Sequence, residues 1–524
     1  MKNVFSIPLI ILFALFIIIS CNTSGSSNQI GVRDEIQDTL RISRLTDDQV
    51  KEIIQRCFFN IKDTIYYGEY DDDVKIGYSR YATFLDSSNI EYGPVIIMNN
   101  EVHFKMLIAG TIEKTSTYIK EIYQLIPPYK LIIHEEKTTK NGTSVKINTE
   151  KKGDYYIKTI EDGIRSKIDS LDEFEYSLND SWAPFFFGID SLSKVNTILE
   201  TNNILNFEDY SRYTTYTKLV KREKKLVNGV IHTYITTEVT DSLGNSTISI
   251  EDENLTFVES KYGGYLHRFE SKEIATNFDA KHDFSLSSTI KVDPVFCKNL
   301  PPAETIKYSK VLFEYEGNKN PFEKTVNQRF FSKNKKNYME LNSQSSYVSI
   351  ATKKDIEDNL KETNMYPIYD KTIIQMAKEA TKGAVSKKKK VELLFKFVNT
   401  YIKYSKDDYS QHFISVYDII RTKNGVCSDF AELFTVLARS IGIPCKTVGG
   451  FALDPDNACL SRHAWNEVEI NGKWYGVDPT WNQWLPSFYH FKENKLYISN
   501  KELNSIRLKL KSITFLNGKV VNYD

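Results

Sequence analysis

Three short stretches decide the reading of this chain: Asn424-Gly425-Val426-Cys427-Ser428-Asp429-Phe430, Arg462-His463-Ala464-Trp465, and Tyr475-Gly476-Val477-Asp478-Pro479-Thr480. In that order they supply a nucleophile, a base and a group to orient the base. A thiol attacks an amide only as its thiolate, so it needs a proton acceptor within reach and a third side chain to fix that acceptor's tautomer. Downstream of Cys427, Phe430, Leu433, Phe434, Leu437, Ala438 and Ile441 recur at helical spacing until Gly442 and Ile443-Pro444 stop the pattern. Cys427 is therefore predicted at a helix entrance, where unpaired backbone N–H groups favour a thiolate. Gly425 is expected to let the chain turn sharply into that helix. Asp429 opposes the thiolate, and a protonated His463 is the larger influence in its favour.

The second and third stretches are related by register. Residues 463–470 alternate, with Ala464, Val468 and Ile470 on one side and His463, Trp465, Glu467 and Glu469 on the other, and Asn471-Gly472 is a two-residue hairpin turn. Pairing Ile470 with Lys473 places Trp465 opposite Asp478 and His463 opposite Thr480. Asp478 then becomes the diagonal neighbour of His463 on one sheet face, roughly 7–8 Å away and within leaning distance of an imidazole.

These motifs, with Arg439-Ser440-Ile441-Gly442-Ile443-Pro444, His463-Ala464-Trp465-Asn466-Glu467-Val468 and Trp474-Tyr475-Gly476-Val477-Asp478-Pro479-Thr480, resemble the bacterial transglutaminase-like superfamily. The resemblance runs from Tyr366 to Phe491. It implies an α+β fold with a papain-like core of helices packed on an antiparallel sheet. It also implies Cys427 as nucleophile, His463 as general base and acid, and Asp478 as the residue that orients His463. The family uses an oxyanion donor as well, for which the backbone N–H of Cys427 is one candidate half.

The same residues admit other readings. A lone cysteine is often a small buried hydrophobe, and a lone strand histidine is often structural. Cys427, Cys445, Cys459 and His463 form a Cys/His set, but without a close Cys-x-x-Cys pair, so no metal and no cofactor is expected. Cys445 and Cys459 read instead as core residues or as a disulfide closing a short loop.

The N-terminus fixes an expected compartment. Met1-Lys2 is a short basic start, Phe5 to Ile19 is an almost unbroken apolar run, and Ile18-Ile19-Ser20-Cys21 resembles a bacterial lipoprotein processing box. Residues 1–20 then read as a signal peptide, Cys21 as the lipid attachment site and 21–40 as a tether. The protein is expected in the cell envelope, held to a membrane outside the cytoplasm by its N-terminal lipid. Of six cysteines, five remain after lipidation, an odd number in a compartment where disulfides persist.

The 524 residues suggest about three domains, and 41% hydrophobic residues with 13% aromatics suffice for packed cores. Lysine plus arginine equals aspartate plus glutamate at 68 each, so no global field draws nucleic acid. Lys387 to Lys390 open an amphipathic helix and read as its solvated face. Residues 41–295 read as mainly β, in one or two modules of stacked antiparallel sheets, from runs such as Val74–Phe84 and His232–Val239. Pro301-Pro302 marks a boundary, followed by a small β module over 301–352, a connector over 353–367, the catalytic domain over 366–491 and a C-terminal extension over 492–524. Trp182, Phe185, Phe186 and Phe187 read as core packing ahead of a ligand groove. The function expected is acyl transfer through a thioester on a protein or peptide substrate, cell-wall peptides among them, and hydrolytic in preference to cross-linking. The competing class is a non-catalytic peptide- or glycan-binding scaffold.

Overall fold

A computed structural model describes residues 39–523 apart from 43, 59–63, 90, 109–110, 141–142, 154, 162–165, 172–175, 181–186, 190–194, 206–211, 241–245, 281–288, 300–306, 344, 364, 406–414, 486–487, 495–497 and 499. The signal peptide, Cys21, the Pro301-Pro302 pair and Trp182, Phe185 and Phe186 therefore lie outside the described residues. Phe187 packs against the N-terminal core. Among the described residues no helix is long and apolar enough to cross a membrane.

The N-terminal half is one 15-stranded sheet where stacked sheets were expected. Two antiparallel meanders, over 65–171 and 198–270, are joined because Tyr265–Glu270 pairs antiparallel with Ile65–Asp71, Leu266 opposite Tyr70. Strands of 13–14 residues, Val74–Asp86, Val95–Ile108 and Thr111–Gln124, carry ladders on both sides and extend the sheet. The helix Asp47–Phe58 buries Val50, Ile53 and Ile54 in the same core as Tyr67, Tyr123, Leu199 and Leu219.

The C-terminal half is built on a 12-stranded mixed sheet. Its central hairpin joins Cys445–Asp454 to Cys459–Ile470, and Cys459–Ile470 pairs next with Lys473–Asp478. The segments read as a small module and as a C-terminal extension share this sheet. Arg507–Phe515 lies between Tyr308–Glu316 and Thr289–Val292, and Thr289–Val292 pairs in turn with Cys459–Ile470. Phe313, Phe451, Leu460, Phe491, Leu508 and Ile513 consequently belong to one buried cluster, drawn from two separate stretches of sequence, 290–341 and 451–513. Side chains this intermixed cannot be desolvated by either segment alone.

Helices Lys387–Tyr401 and Cys427–Ser440 pack on the sheet through Leu394, Val398, Phe430, Phe434, Val468 and Val477, and Lys371–Ala380 packs on those two helices through Ile373 and Ala377. Lys387–Lys390 do open a helix, capped by the Ser386 hydroxyl, which accepts from the Lys389 N–H. The expected connector over 353–367 contains a short helix, Lys353–Asp358. Its start is fixed by the Thr352 hydroxyl accepting from the Asp355 N–H. The fold is thus α+β, a helix-on-sheet core preceded by sheet.

Candidate active site

Cys427 is the first residue of the helix Cys427–Ser440, and Val426 caps it in extended conformation. The Asp429 carboxylate accepts from the Val426 N–H at 2.8 Å, so the charge expected to oppose the thiolate is engaged by the helix end. The need for glycine at 425 is one of space. A Cβ there would lie 2.6 Å from the Asp429 Cβ and 2.8 Å from its Oδ2. The sharp turn expected of Gly425 is in fact room for that cap.

His463 sits mid-strand, and its Nε2–H donates to Asp478 Oδ2 at 2.8 Å. The ladder runs as the turn dictates, Ile470 with Lys473 and Asn466 with Val477, which carries Asp478 onto the histidine's face. Gly450 lies opposite His463, where a Cβ would strike the Trp465 ring at 2.4 Å. The Asn466 side chain ties strand to helix: its Nδ2 donates to the Ala431 carbonyl at 2.9 Å and to Thr435 Oγ1 at 2.8 Å. This fixes the nucleophile helix against the base strand, with Cys427 packed beside Ala431 and Ala464.

Asp478 is fully buried. Its Oδ1 accepts from the Thr480 and Trp481 N–H groups at 2.8 and 3.1 Å, and its Oδ2 accepts a second imidazole, His490 Nε2–H, at 2.9 Å. Burial alone would raise its pKa, but the bonds from His463 and His490 hold it well below the usual carboxylate range. Burial keeps His490 neutral, against the pull of Asp478. The Trp481 ring stacks on His463 at 4.8 Å between centroids, and Asn399 Nδ2 donates to the Pro479 and Thr480 carbonyls, pinning the loop that follows Asp478.

Cys427 keeps 9% exposure and His463 8%, so both reaction partners are nearly closed off from water. Burial pushes the Cys427 thiol up, yet its hydrogen bond to His463 and the histidine's charge bring it below the ordinary thiol value. Burial likewise pushes His463 down, and its bonds to Asp478 and Cys427 outweigh this and raise it to about 10. The two shifts describe a thiolate–imidazolium pair. The other described cysteine side chains move the opposite way: burial lifts Cys445 to about 12, Cys297 to about 11 and Cys459 above its usual value.

Cys445 and Cys459 are both free thiols, contrary to the expected disulfide. The register explains why. Cys445 pairs with Val468 and Cys459 with Asp454, so each begins its own strand of one antiparallel hairpin and they sit at opposite ends of it. A short separation in sequence is here roughly 30 Å in space, at about 3.4 Å per residue. The Cys/His set does not gather as a whole for the same reason: Cys427 meets His463, but Cys445 and Cys459 stand at the two ends of the hairpin. The titratable group that does converge is His463, Asp478 and His490, all buried, with both imidazole Nε2–H groups donating to Asp478 Oδ2.

Residues 374–479 match the model of the transglutaminase-like superfamily. The chain carries a transglutaminase-like domain. Cys427, His463 and Asp478 all fall inside the matched span, whereas His490 lies beyond it. The chain is similar to kyphoscoliosis peptidase of Homo sapiens, 34% identical over 90 residues, which is 15% of this chain and 14% of that protein. It thus spans about one seventh of that relative's length. An uncharacterised protein of Mycobacterium leprae is 35% identical over 69 residues, 12% of this chain and 24% of its own. Among solved structures, a candidate cysteine protease from Cytophaga hutchinsonii is 17% identical, with a TM-score of 0.24 over 41% of this chain and 83% of that one.

Proposed function

We propose that this protein is an exported, lipid-anchored cysteine acyl-transfer enzyme that hydrolyses an amide or peptide bond. One observation carries the reading: the thiol at a helix entrance is the described cysteine whose acidity is increased, and it is paired with a buried imidazole held by a carboxylate. The Cys427 thiolate attacks the carbonyl carbon, and the negative charge moves to the carbonyl oxygen, for which the backbone N–H of Cys427 at the helix entrance is one candidate donor. Collapse breaks the C–N bond, and the proton on His463 leaves with the amine. The neutral His463 then takes a proton from water as the water's oxygen attacks the thioester, and that proton returns to the pair as the thiolate departs. Asp478 stays ionised throughout and keeps the His463 Nε2–H pointed at itself, so that Nδ1 serves the sulfur.

Water is favoured as acceptor because it is always at hand and the sequence contains no separate amine-binding motif. The substrate class is protein or peptide, cell-wall peptides included. Lipid attachment at Cys21 would hold the enzyme at the cell envelope; it is supported by the apolar run and the residues around Cys21. Incubation in isotope-labelled water tests the reaction: the heavy oxygen is expected in the released carboxylate. An acyl group passed only to amines would replace hydrolysis with cross-linking. No adduct on Cys427 with any peptide library would leave a binding scaffold.

A further inference from the structure

The strands Arg212–Val227 and Val230–Thr240 form a hairpin whose outer part leaves the N-terminal sheet. On one side, pairing with Ile198–Leu205 reaches only Lys218. On the other, pairing with Ser246–Glu251 reaches only Ile235. From Lys221 and Tyr234 outward no described strand flanks the ribbon, although Glu253 braces its base by accepting from the Thr233 N–H and His232 Nδ1.

The tip is a two-residue turn, Asn228-Gly229, with φ of +51° and +81°. A polar tip is what water selects for at such a place, yet here the last two rungs are aliphatic, Leu226 opposite Ile231 and Val227 opposite Val230. Leu226 is 71% exposed, Ile231 66%, Val230 56% and Val227 39%. Behind them on the same ribbon stand Lys221, Arg222, Lys224 and Lys225; Glu223 pairs with Lys221 and Lys225, the Glu253 carboxylate stands at His232, and Arg222 donates to the Ile189 carbonyl.

We infer that this hairpin tip is a membrane-docking element: its aliphatic apex enters the acyl boundary of an anionic bilayer while the lysines and Arg222 behind it meet lipid phosphates. Chain direction supports the choice of partner. The strand Thr39–Ile42 lies parallel to Ile198–Leu205, with Thr39 level with Ile198 and hence with Lys218. The N-terminal end of that strand, at Thr39, therefore faces the side on which the ribbon continues to Val227. The tip stands roughly 30 Å beyond that level, at about 3.4 Å per residue. The residues between Cys21 and Thr39 can span up to about 60 Å, so a lipid on Cys21 and the tip reach one surface. A second copy of the ribbon is a poorer occupant, because the cationic side chains would face their own kind along the exposed edges.

The inference rests in part on the anchoring reading, and the two fail separately. Incorporation of labelled palmitate into the native chain reads Cys21 alone. The tip is read on the full chain bearing Cys21→Ser, Cys427→Ser and Leu226→Cys, labelled with an environment-sensitive fluorophore. The same chain without Leu226→Cys serves as the blank, and a label at Leu516→Cys as the exposed reference. With vesicles of phosphatidylcholine and phosphatidylglycerol containing a lipid-borne quencher, tip emission is expected to shift to the blue and fall at least twofold. The Leu516 label should not change, and Lys221→Gln, Lys224→Gln and Lys225→Gln together should return the tip to its aqueous emission. A tip label that behaves like the Leu516 label overturns the inference. So does equal insertion into phosphatidylcholine alone, or a blue shift that appears without vesicles as protein concentration rises, which would assign the tip to a second copy.

Discussion

Replacing Asp478 with asparagine keeps the shape of the site and removes one charge. In the native site both Oδ2 bonds come from imidazole N–H groups, and both Oδ1 bonds come from the backbone N–H groups of Thr480 and Trp481. An asparagine must keep its carbonyl oxygen toward those two backbone donors, which cannot turn away. Its amide N–H₂ then faces His463 Nε2, and two donors cannot meet. His463 relieves this by giving up the Nε2 proton and carrying its remaining proton on Nδ1, the nitrogen that serves sulfur. The raised value of about 10 stands about 3.5 units above the histidine's ordinary 6.5, or roughly 5 kcal/mol of preference for the charged ring. Asp478 and Cys427 share that preference. Assigning half to Asp478 gives roughly 2 kcal/mol, a loss of some tens of fold in the ion pair relative to the neutral pair. The assay is an NMR titration of isotope-labelled histidine, with His463 identified by its absence in His463→Gln. In Asp478→Asn the His463 midpoint should fall by about one and a half to two pH units, with far-ultraviolet dichroism unchanged. A folded variant whose His463 midpoint stays where it is in the native protein would refute the reasoning.

The remaining predictions concern the supports of the site and the sheet beside it. Asn466→Ala removes the two buried hydrogen bonds that tie the base strand to the nucleophile helix, so urea denaturation should show a loss of about 1–3 kcal/mol and a slower alkylation of Cys427. His490→Leu leaves Asp478 one donor short and should raise the Asp478 pKa toward the ordinary range, visible as an earlier loss of Cys427 reactivity as pH falls. Because Cys297, Cys427, Cys445 and Cys459 are free, a reducing agent should leave the melting temperature of the native protein unchanged; a drop would reveal a disulfide. Burial lifts the Glu251 carboxyl to about 8, against a bond from Thr237, so the folded state holds a proton that the unfolded chain releases near 4.5. That contribution is complete below pH 4.5 and is lost as pH rises through 8, at up to about 1.4 kcal/mol per pH unit. Glu251→Gln should flatten this slope in denaturation at pH 5 and pH 8, and an unchanged slope would contradict it.

The parts of the structure that could be read from the sequence are the local ones. Asn471-Gly472 admits one register, and that register alone brings Asp478 to His463. The helix pattern after Cys427 likewise sets its own start. His490 escaped because it reaches the site on the strand His490–Lys492, which pairs with Cys445–Asp454 across a distance in sequence that no spacing rule encodes. That the segments of the C-terminal half share one sheet was not legible for a related reason. Arg507–Phe515 returns to the middle of the sheet beside Tyr308–Glu316, and the alternating patterns of these strands say that each has a buried face but not which strand covers it. The disulfide expectation treated nearness in sequence as nearness in space, which an antiparallel hairpin reverses for residues at its two strand starts.

The account stands most directly on the ionisation of one sulfur. Alkylation of Cys427 by iodoacetamide, followed by mass spectrometry as pH is varied in the native protein and in His463→Ala, measures it without knowledge of the substrate. The account expects native Cys427 to react fully well below the ordinary thiol range and to lose that advantage in His463→Ala. A native rate that rises only near pH 8.5, identical in the two proteins, would contradict it.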